Sequence, residues 1–459
     1  MNAMQLQWEF GGLAQGRFDR SPDEFIAARL TESPTGEDRL MEMICERQNM
    51  LNALRRVESN KGAPGVDGMK TTQLRGYLRR HWEKIKAALL EGKHKPLPVR
   101  RKEIPKEGGG VRLLGIPTVL DRLIQQAMAQ VLTAIWDHTF SEYSYGFRPG
   151  RSQHMAIQQA KCYVEDGYTY VVDIDLSKFF DRVHHDRLMH RVATRVRDRR
   201  VLKLIRAYLN SGILTGELIV QPGEGTPQGG PLSPLLSNIV LDELDKELEK
   251  RGLRFVRYAD DAAIYVRSPK AAERVKCSIS RFITRKLKLV VNEQKSQVTR
   301  PWHGKYLGFR ITRFMGRTRI GIHGKSLRRF RARIRELTAR DRGRSLAHIV
   351  GELNAFLRGW AQYCQPGLSR TLANQLDHWI RRRLRAYVWK QWRLPRTRIR
   401  NLEARGVRHS WAVAVGNTRK GVWHLSLNGT LCAAFPDSYF TRSLGLVLLG
   451  RPWPSQPNR

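Results

Sequence analysis

Residues 38–92 place hydrophobic side chains three and four positions apart, which is the spacing of one face of an α-helix. The hydrophobic positions of the first stretch are Leu40, Met43, Ile44, Met50, Leu51 and Leu54. The segment KGAPGVDG interrupts this pattern, because its glycines and its proline break helices. The pattern therefore predicts a helical N-terminal region, residues 1–92, that contains one marked turn.

From residue 93 to about residue 310 the pattern changes to short β-favouring runs mixed with helices. The β-favouring runs are TYVVDIDL, FVRYADDAAIYV and YLGFRI, and a helical run is SNIVLDELDKELEKR. The order of these runs is irregular, whereas a doubly wound sheet alternates strands and helices. The predicted fold class is therefore α+β.

A third pattern, helical and strongly basic, covers residues 325–400. One apolar helical face is traced by Leu372, Leu376, Trp379, Ile380, Leu384, Tyr387 and Val388. The segment holds twenty Lys and Arg against four acidic residues, and RRRLR lies beside the apolar face. A solvated surface is one explanation of such a run. We favour binding to a phosphate backbone, because so many like charges repel one another unless counterions or phosphates lie between them.

The whole chain is equally unbalanced, with 82 Lys and Arg against 42 Asp and Glu in 459 residues, a net charge of +40. A basic excess of this size indicates a polyanionic partner, usually nucleic acid, with an anionic membrane surface as the competing partner. No apolar run approaches the length of a membrane span, and no signal peptide opens the sequence. The expected protein is cytoplasmic, associated with the nucleoid when it binds DNA, and has no membrane partner.

Acidic residues stand out against this basic background at two places. Asp260 and Asp261 are adjacent within an apolar run, and Asp173 and Asp175 would share one face of a strand. Neighbouring carboxylates repel, and the repulsion grows where water is excluded. From this pattern alone a hairpin turn and a divalent-metal site are equally good explanations of the pair at 260–261.

Three of these stretches, taken in order, resemble the palm motifs of reverse transcriptases. In that family the first motif is an aspartate followed five residues later by a bulky aromatic, as in Asp175 and Phe180. TPQGGPLSP, with Gln228, resembles the second motif, and YADD, with Asp260 and Asp261, resembles the third. The resemblance implies that the three aspartates are catalytic and bind Mg²⁺. It also implies that Phe180 excludes a ribose 2′-hydroxyl and that Gln228 lies near the incoming nucleotide.

The segment EIPKEGGGVRLLGIP is similar to the part of the fingers in which a lysine and an arginine six residues later hold the triphosphate. Lys106 and Arg112 have this spacing, and Arg100 is expected to assist them. Without this context both would be interpreted as ordinary surface cations.

Two further segments resemble neighbouring motifs of the same family. YGFRPGRS implies that Arg148 and Arg151 contact nucleotide or template phosphates. LKLVVNEQKSQV implies that Lys295 donates a proton to the departing pyrophosphate, and YLGFRI resembles the strand that holds the primer end.

A narrower resemblance links the chain to the proteins encoded by bacterial group II introns. It rests on LMEMICERQNMLNALRRVESNKGAPGVDGM and on ELNAFLRGWAQYCQPGLSRTLANQLDHWIRRRLRAYVWKQW. It implies a right-hand polymerase fold, with fingers and an antiparallel palm sheet, followed by an α-helical thumb or maturase domain. The implied divisions are an N-terminal extension with the first fingers block at 1–92, fingers and palm at 93–320, the maturase domain at 321–405, and a DNA-binding-like segment with a tail at 406–459.

The function implied by this resemblance is RNA-directed DNA synthesis together with maturase activity, which promotes splicing of the intron RNA and supports its mobility (retrohoming). The implied partners are group II intron RNA, an RNA template with a DNA primer, deoxynucleoside triphosphates and target DNA. The arginines expected to contact intron RNA are Arg381, Arg382, Arg383 and Arg385.

Many members of that family end in a zinc-containing HNH nuclease with paired Cys motifs. The five cysteines here, at positions 45, 162, 277, 364 and 432, form no such pair, so no HNH endonuclease domain is expected. Two alternatives stay open: a domesticated relative that serves DNA repair or phage defence, and an RNA-binding splicing factor with an inactive polymerase.

The implied chemistry is attack of the primer 3′-hydroxyl on the α-phosphorus of a deoxynucleotide. Two Mg²⁺ ions, for which Mn²⁺ is a substitute, would activate the hydroxyl and stabilise the leaving pyrophosphate. Asp175 and Asp260 are expected to bridge both ions, with Asp261 contributing less directly.

Overall fold

The computed structural model describes residues 39–105, 111–215, 218–220 and 229–450. These residues form two compact units that divide between Pro301 and Trp302. Both helices and antiparallel strand pairs are present, which confirms the α+β prediction. None of the described helices is long and apolar enough to cross a membrane.

The helices of the first unit alternate irregularly with its strands along the chain. They are α1 (Leu40–Ile44), α2 (Arg47–Ser59), α3 (Leu74–Leu90), α4 (Val119–Trp136), α5 (Gln153–Glu165), α6 (His185–Ala193), α7 (Arg199–Leu209), α8 (Ser233–Lys250) and α9 (Pro269–Phe282). Polar side chains fix several of the helix starts. Thr118, Ser152 and Ser268 each accept a hydrogen bond from a backbone N–H in the first helical turn, which satisfies a donor that has no partner within the helix.

Two four-stranded sheets lie in this unit. The first has the order β2-β1-β4-β5 and consists of β1 (Val99–Pro105), β2 (Val111–Ile116), β4 (Ile213–Thr215) and β5 (Leu218–Val220). The second has the order β6-β7-β3-β8, is antiparallel throughout, and consists of β3 (Tyr170–Ile174), β6 (Arg254–Tyr258), β7 (Asp261–Val266) and β8 (Gln297–Thr299). The second sheet holds the acidic residues.

One continuous apolar core stabilises the first unit. It joins the inner faces of α2 and α4 to the buried side of the second sheet, where Val172, Ile174 and Ile264 have almost no exposure. Burial of a side chain of this size contributes about 1.5–3 kcal/mol each. Asp173, on the other face of β3, and Asp175, just after the strand ends, are polar and partly exposed.

The second unit begins with a hairpin and continues as helices. The hairpin pairs β9 (Phe309–Phe314) with β10 (Arg317–Ile322). The helices are α10 (Gly324–Leu337), α11 (Leu346–Cys364), α12 (Arg370–Gln391), α13 (Pro395–Glu403), α14 (His409–Gly416), α15 (Val422–Leu425) and α16 (Gly429–Ala434). A separate apolar core runs through them and includes Trp360, Tyr387, Trp389 and Phe435.

The boundaries expected from the sequence can be compared with these elements. The boundary at 92–93 falls between α3 and β1, and that at 405–406 falls between α13 and α14. The boundary at 320–321 falls inside β10, and the compact units divide some twenty positions earlier, at Pro301. The fingers, palm and thumb divisions themselves stay predictions.

Candidate active site

The register of the second sheet brings Asp175 to the same sheet end as the 260–261 pair. Asp173 pairs with Ala263 and Ile174 pairs with Ala262, so Asp175 comes one position beyond the last pair of β3 and β7. The next position on β7 is Asp261, its first residue. Paired residues point to the same face of a sheet, and alternate residues share that face. Asp175 and Asp261 therefore lie on one face, at one end.

A two-residue turn connects β6 to β7. Tyr258 pairs with Asp261, which leaves Ala259 and Asp260 as the turn residues. Ala259 has a φ of +56°, and positive φ at the first turn residue alone is the pattern of a type II′ turn, where glycine is usual. The turn interpretation of the acidic pair is thus half correct: Asp260 lies in the turn, whereas Asp261 begins the next strand and is not a turn residue.

Lys295 lies beside Asp175. Its Nζ is 3.8 Å from Asp175 Oδ2, with 68% and 34% of the two side chains exposed. Ser296 Oγ accepts a hydrogen bond from the Asp175 N–H at 3.0 Å, and Asn292 N–H donates to the Asp175 carbonyl at 2.8 Å. These backbone contacts hold the 290–296 segment against the end of β3, so the lysine is positioned by the same segment that fixes the carboxylate. An exposed ion pair of this length contributes little stability, about 1 kcal/mol at most.

The aromatic residue expected to select the sugar follows five positions after Asp175. Phe180 is partly buried, and its ring meets that of Phe179 edge-on at 5.1 Å between centroids. Phe179 is buried in the core, while Lys178 before it has a left-handed backbone, φ +50°. The chain therefore changes direction at Lys178, so Phe180 does not continue the line of β3.

Several of the expected nucleotide contacts are not described in full. Lys106 and Gln228 lie outside the described residues. Arg112 pairs with Ile104 in the β1–β2 hairpin, but its side chain also lies outside the described part. Arg100 is on β1, paired with Ile116, in a different sheet from the aspartates.

Arg148 does not have the open position that a phosphate contact requires. Its side chain is 4% exposed and forms a 2.7 Å ion pair with Asp137. The same guanidinium donates to the carbonyls of Ser141 and Ser144 and of Asp137. The expected contact of Arg148 with nucleotide or template phosphates is therefore corrected. Arg148 stabilises the loop that contains it, because its donors are already bonded to residues 137–144. Arg151 is partly exposed, with Tyr145 beneath its guanidinium at 5.6 Å.

A buried arginine behind the turn is the main residue that sequence reasoning missed. Arg257, on β6, has no solvent exposure and forms an ion pair of 2.6 Å with the equally buried Asp245 of α8. Burial raises the pKa of the Asp245 carboxyl, and the guanidinium opposes this rise. The signal in the sequence was an arginine inside an apolar strand, in FVRYADD, since a buried strand position does not accept a charge without a partner.

The four arginines of α12 that were expected to contact RNA are mostly engaged inside the second unit. Arg381 and Arg385 are 6% and 7% exposed and both pair with Asp437, at 2.9 and 2.8 Å. Arg382 stacks on Trp423 at 3.8 Å, and Arg383 donates to Thr338 Oγ1 at 2.5 Å. Burial lowers the pKa of Arg383, as do the nearby cations Arg335 and Arg340. Arg381 and Arg385 therefore lack the exposure that a contact with RNA phosphates requires, while the expected contacts of Arg382 and Arg383 stay predictions.

An open basic face is instead present on α10. We call it the α10 stripe and define it as Lys325, Arg328, Arg331 and Arg335, which are all exposed. Their spacing of three or four positions places them on one side of the helix, opposite the buried Phe330 and Ile334. Burial lowers the pKa of His323 at the start of the helix, and the nearby cations, Lys325 and Arg328 among them, lower it further.

Carboxylate chemistry at the sheet end suits a magnesium ion. Mg²⁺ takes oxygen ligands and is commonly held by one or two carboxylates together with substrate phosphates and water. In the part of the chain that the structure describes, no three His, Cys, Asp or Glu side chains lie close enough together to enclose a metal ion on their own. The oxygen donors of Asp175, Asp260 and Asp261 are of the kind that Mg²⁺ prefers, but these side chains do not form such a closed group, so their binding of a metal ion stays a prediction.

Two family models match the chain. The family described as reverse transcriptase (RNA-dependent DNA polymerase) matches residues 104–311, which include the three aspartates. The family described as the group II intron maturase-specific domain matches residues 327–406, which include most of α10 and all of α12.

Similar proteins carry related descriptions. Protein YkfC of Escherichia coli K12 is 36% identical over 316 residues, covering 60% of this chain and 83% of YkfC. The group II intron-encoded protein LtrA of Lactococcus lactis subsp. cremoris is 35% identical over 247 residues, covering 54% of this chain and 40% of LtrA. An uncharacterized 91 kDa protein in the cob intron of Schizosaccharomyces pombe is 35% identical, covering 47% of this chain and 26% of that protein. The matches thus span less than half of LtrA and of the cob intron protein.

Among solved structures, a chain of a partial Cas6-RT-Cas1–Cas2 complex aligns with a TM-score of 0.35 and 25% identity. The alignment covers 55% of this chain and 43% of that one.

Proposed function

The chain belongs to the family of group II intron reverse transcriptases with a maturase domain, and from this premise we propose that it is an RNA-directed DNA polymerase that also acts as a maturase. The single observation that carries the polymerase assignment is the β3–β7 register, which brings Asp175 and Asp261 to one face and one end of a sheet, next to the turn that holds Asp260.

The antiparallel β6-β7-β3-β8 sheet is the proposed palm of a right-hand polymerase, with the fingers formed from the preceding elements and the thumb from α10 to α12. At the palm, Asp175, Asp260 and Asp261 would hold the divalent ions, Mg²⁺ or its substitute Mn²⁺. Such ions, when bound, lower the pKa of the primer hydroxyl and stabilise the leaving pyrophosphate. The carboxylates orient the reacting groups by occupying one face of the sheet.

Around this site, the other residues act on the deoxynucleoside triphosphate. Lys106 and Arg112, assisted by Arg100, would bind its phosphates through charge-assisted hydrogen bonds. Phe180 would exclude the 2′-hydroxyl, and Gln228 would lie near the nucleotide. Lys295 is proposed to protonate the departing pyrophosphate, since its ammonium already lies 3.8 Å from the Asp175 carboxylate.

The proposed partners of the second unit are group II intron RNA and, during mobility, target DNA. RNA phosphates require cations that water can reach, and the α10 stripe presents four of them on one side of a helix. We therefore assign the primary RNA contact to the α10 stripe and a supporting role to Arg382 and Arg383, which are partly exposed. Arg381 and Arg385 stabilise the fold of the unit, because both guanidinium groups are buried against Asp437.

Primer extension on an RNA template tests the polymerase assignment. Asp260→Ala should lower the extension rate by about a thousandfold or more, since the metal contributes several kcal/mol of transition-state stabilisation. Asp166→Ala, at an exposed acid that follows α5, is the matched control and should extend at the wild-type rate. Both variants should bind intron RNA as the wild type does.

Two outcomes would contradict the proposal. If Asp260→Ala extends primers at a rate near that of the wild type, the carboxylates are not catalytic. If the wild-type protein binds intron RNA but does not extend primers with Mg²⁺ or Mn²⁺, the protein is a splicing factor with an inactive polymerase.

A further inference from the structure

Arg257 uses all of its hydrogen-bonding capacity inside the protein. A guanidinium has five N–H donors, and each has a partner here. Nε and Nη2 donate to the two carboxylate oxygens of Asp245 at 2.7 and 2.6 Å. Nη1 donates to Asn238 Oδ1 at 3.0 Å and to the carbonyl of Ala259 at 2.9 Å, and Nη2 also donates to Ser144 Oγ at 2.7 Å.

These partners come from separate parts of the chain. Ser144 precedes α5, Asn238 and Asp245 lie on α8, and Ala259 is the first residue of the turn. The backbone of Arg257 adds two contacts with the first of these segments: its N–H donates to the carbonyl of Tyr143 at 2.9 Å, and its carbonyl accepts from Tyr145 N–H at 2.8 Å. One side chain therefore joins a loop, a helix and the turn.

The turn residue that receives a hydrogen bond from Arg257 is in an unfavourable conformation. Ala259 has φ +56°, and a left-handed backbone costs a residue with a Cβ about 1–2 kcal/mol. Gly146 lies directly against this turn, because a Cβ at Gly146 would overlap the backbone nitrogen of Ala259. Asn238 Nδ2 fixes Gly146 in turn, by donating to its carbonyl at 2.9 Å. The turn is held on both sides.

We propose that Arg257 is a positioning residue for the catalytic carboxylates: by holding the carbonyl of Ala259 it sets the direction in which Asp260 and Asp261 present their oxygens to divalent ions. This inference rests on the proposed function. The peptide bond from Ala259 to Asp260 begins at the carbonyl that Arg257 binds, and a planar peptide passes the orientation of that carbonyl to the next residue.

Stability alone does not explain an arginine at this position. A buried ion pair can often be replaced by apolar side chains of similar volume without loss of stability. Lysine would keep the charge opposite Asp245, but it has three donors and lacks the planar fork, so it cannot serve all four partners. What only the arginine supplies is the complete set, in which the two-bond contact with Asp245 is made in a fixed plane together with the bonds to Asn238, Ser144 and the turn carbonyl.

The decisive variant is Asp245→Leu combined with Arg257→Met, which removes both charges and leaves the Ala259 carbonyl without this donor. Arg257→Lys is the second variant, because it retains the ion pair and with it the fold. Arg200→Met is the matched control. It breaks a bidentate arginine contact in the same unit, with Glu42 and Asp198 at 2.7 and 2.9 Å, that does not involve the turn.

Three quantities are measured for each full-length variant: the melting temperature, the affinity for Mn²⁺ from the free-ion electron paramagnetic resonance signal, and the Mg²⁺ concentration that gives half-maximal primer extension. We expect the double variant and Arg257→Lys to bind Mn²⁺ about tenfold more weakly and to need about tenfold more Mg²⁺, as for other groups that orient metal ligands. Arg200→Met should lower the melting temperature and leave both metal measurements unchanged.

The inference is overturned if either turn variant, in its folded state, keeps the wild-type Mn²⁺ affinity and Mg²⁺ requirement. It is also overturned if Arg200→Met shifts the metal measurements by the same factor, because the effect would then follow stability. If the wild-type protein binds Mn²⁺ in a way that depends on Arg257 and yet extends no primer, the proposed polymerase function fails while the positioning role stands.

Discussion

Helices α10 and α12 are both rich in arginine and both belong to the second unit, yet their arginines serve different purposes. On α10 the cations of the stripe are exposed and lie opposite a buried apolar face. On α12 the guanidinium groups of Arg381 and Arg385 are buried and share the Asp437 carboxylate. A run of arginines therefore predicts an RNA-binding surface only where no carboxylate or carbonyl of the same protein has already taken the donors.

The physical reason for the difference is the number of apolar neighbours around each helix. The second half of helix α12 packs on several sides, so Leu384, Tyr387 and Trp389 are all buried and no wide polar face is left over residues 380–389. An arginine in such a helix extends through the packing to a partner, and its aliphatic stem is part of the core. Helix α10 has one buried side, and its long cations project into water.

The largest effect that would test this difference between α10 and α12 is expected from reversing the charges of the α10 stripe. The combined change Lys325→Glu, Arg328→Glu, Arg331→Glu and Arg335→Glu should weaken intron RNA binding by about a hundredfold or more at physiological salt. It should also reduce the slope of log affinity against log salt by about three, because fewer counterions are released. Extension of short primed templates should stay within about twofold of the wild type, because the α10 stripe is proposed to bind intron RNA and the aspartates of the first unit to carry out polymerisation.

The control for this variant reverses four cations elsewhere, with the same change of net charge: Lys270→Glu, Arg274→Glu, Arg281→Glu and Arg285→Glu, all exposed in the first unit. A filter-binding titration against salt compares the two variants. Equal weakening in both would mean that overall charge, and not the α10 stripe, decides RNA affinity.

A second prediction concerns the interior arginines. Arg385→Met should lower the free energy of unfolding by about 2 kcal/mol, less than the 3–5 kcal/mol typical of a broken buried pair, because Asp437 is half exposed and can be hydrated. Chemical denaturation measures this loss, and Arg331→Met on α10 is the control, with an expected change below about 0.5 kcal/mol. If folded Arg385→Met loses more RNA affinity than Arg331→Met does, then α12 and not α10 makes the main RNA contact.

A third prediction uses His323, at the start of α10. Burial and the surrounding cations Lys305, Lys325, Arg310 and Arg328 hold the pKa of this imidazole below its ordinary value. RNA phosphates on the α10 stripe would offset those cations and raise the pKa, so binding takes up a proton. Affinity should therefore rise as the pH falls from 8 to 6, by about threefold. His323→Asn, which can still cap the helix, should bind with no such pH dependence in the same titration.

The smallest expected effect concerns Glu352, which pairs with Arg342 at 2.6 Å between the end of α10 and α11. The hydrogen bond from Arg342 lowers the pKa of this carboxyl. Because the folded-state pKa is the lower one, the stabilisation is complete above the ordinary glutamate pKa, about 4.3, and is lost as the pH falls through the folded-state value. For an exposed pair the loss is about 1 kcal/mol at most.

Thermal melts of the wild type and Glu352→Gln between pH 7 and pH 3 test this prediction. The difference in melting temperature should disappear at the acidic end. A difference that stays constant over the whole range would exclude the ion pair as its cause.

Much of the fold and the position of the acidic residues at one end of the second sheet could be predicted from sequence, because those signals are local. The alternation around Asp173 and Asp175 predicted a strand, which is β3, and the YADD segment predicted a turn, which joins β6 to β7. The turn was placed one residue too late, since the sequence offers no glycine to mark its first position and Ala259 takes the left-handed conformation instead.

Which arginines are buried could not be predicted, because it depends on partners that lie far away in the chain. Asp437 is 52 positions from Arg385, and Ser144 is 113 positions from Arg257. No periodicity connects such residues, so whether a given arginine would be buried or open to RNA could not be predicted from its neighbours. Arg148 was misassigned for a different reason: its partners, Asp137 and two carbonyls of its own loop, lie only 4 to 11 positions away, but no periodic pattern shows that an irregular loop turns back onto its own arginine.

The cluster around Arg257 also bears on how the chain folds during synthesis. Asp245 leaves the ribosome twelve residues before its guanidinium partner, and until that partner arrives, burial of the carboxylate would cost several kcal/mol. Helix α8 should therefore stay hydrated and loosely docked until β6 has been made. A nascent chain that stops short of residue 257 would keep this helix face open, and chaperones that bind unburied helices would have a defined interval in which to act.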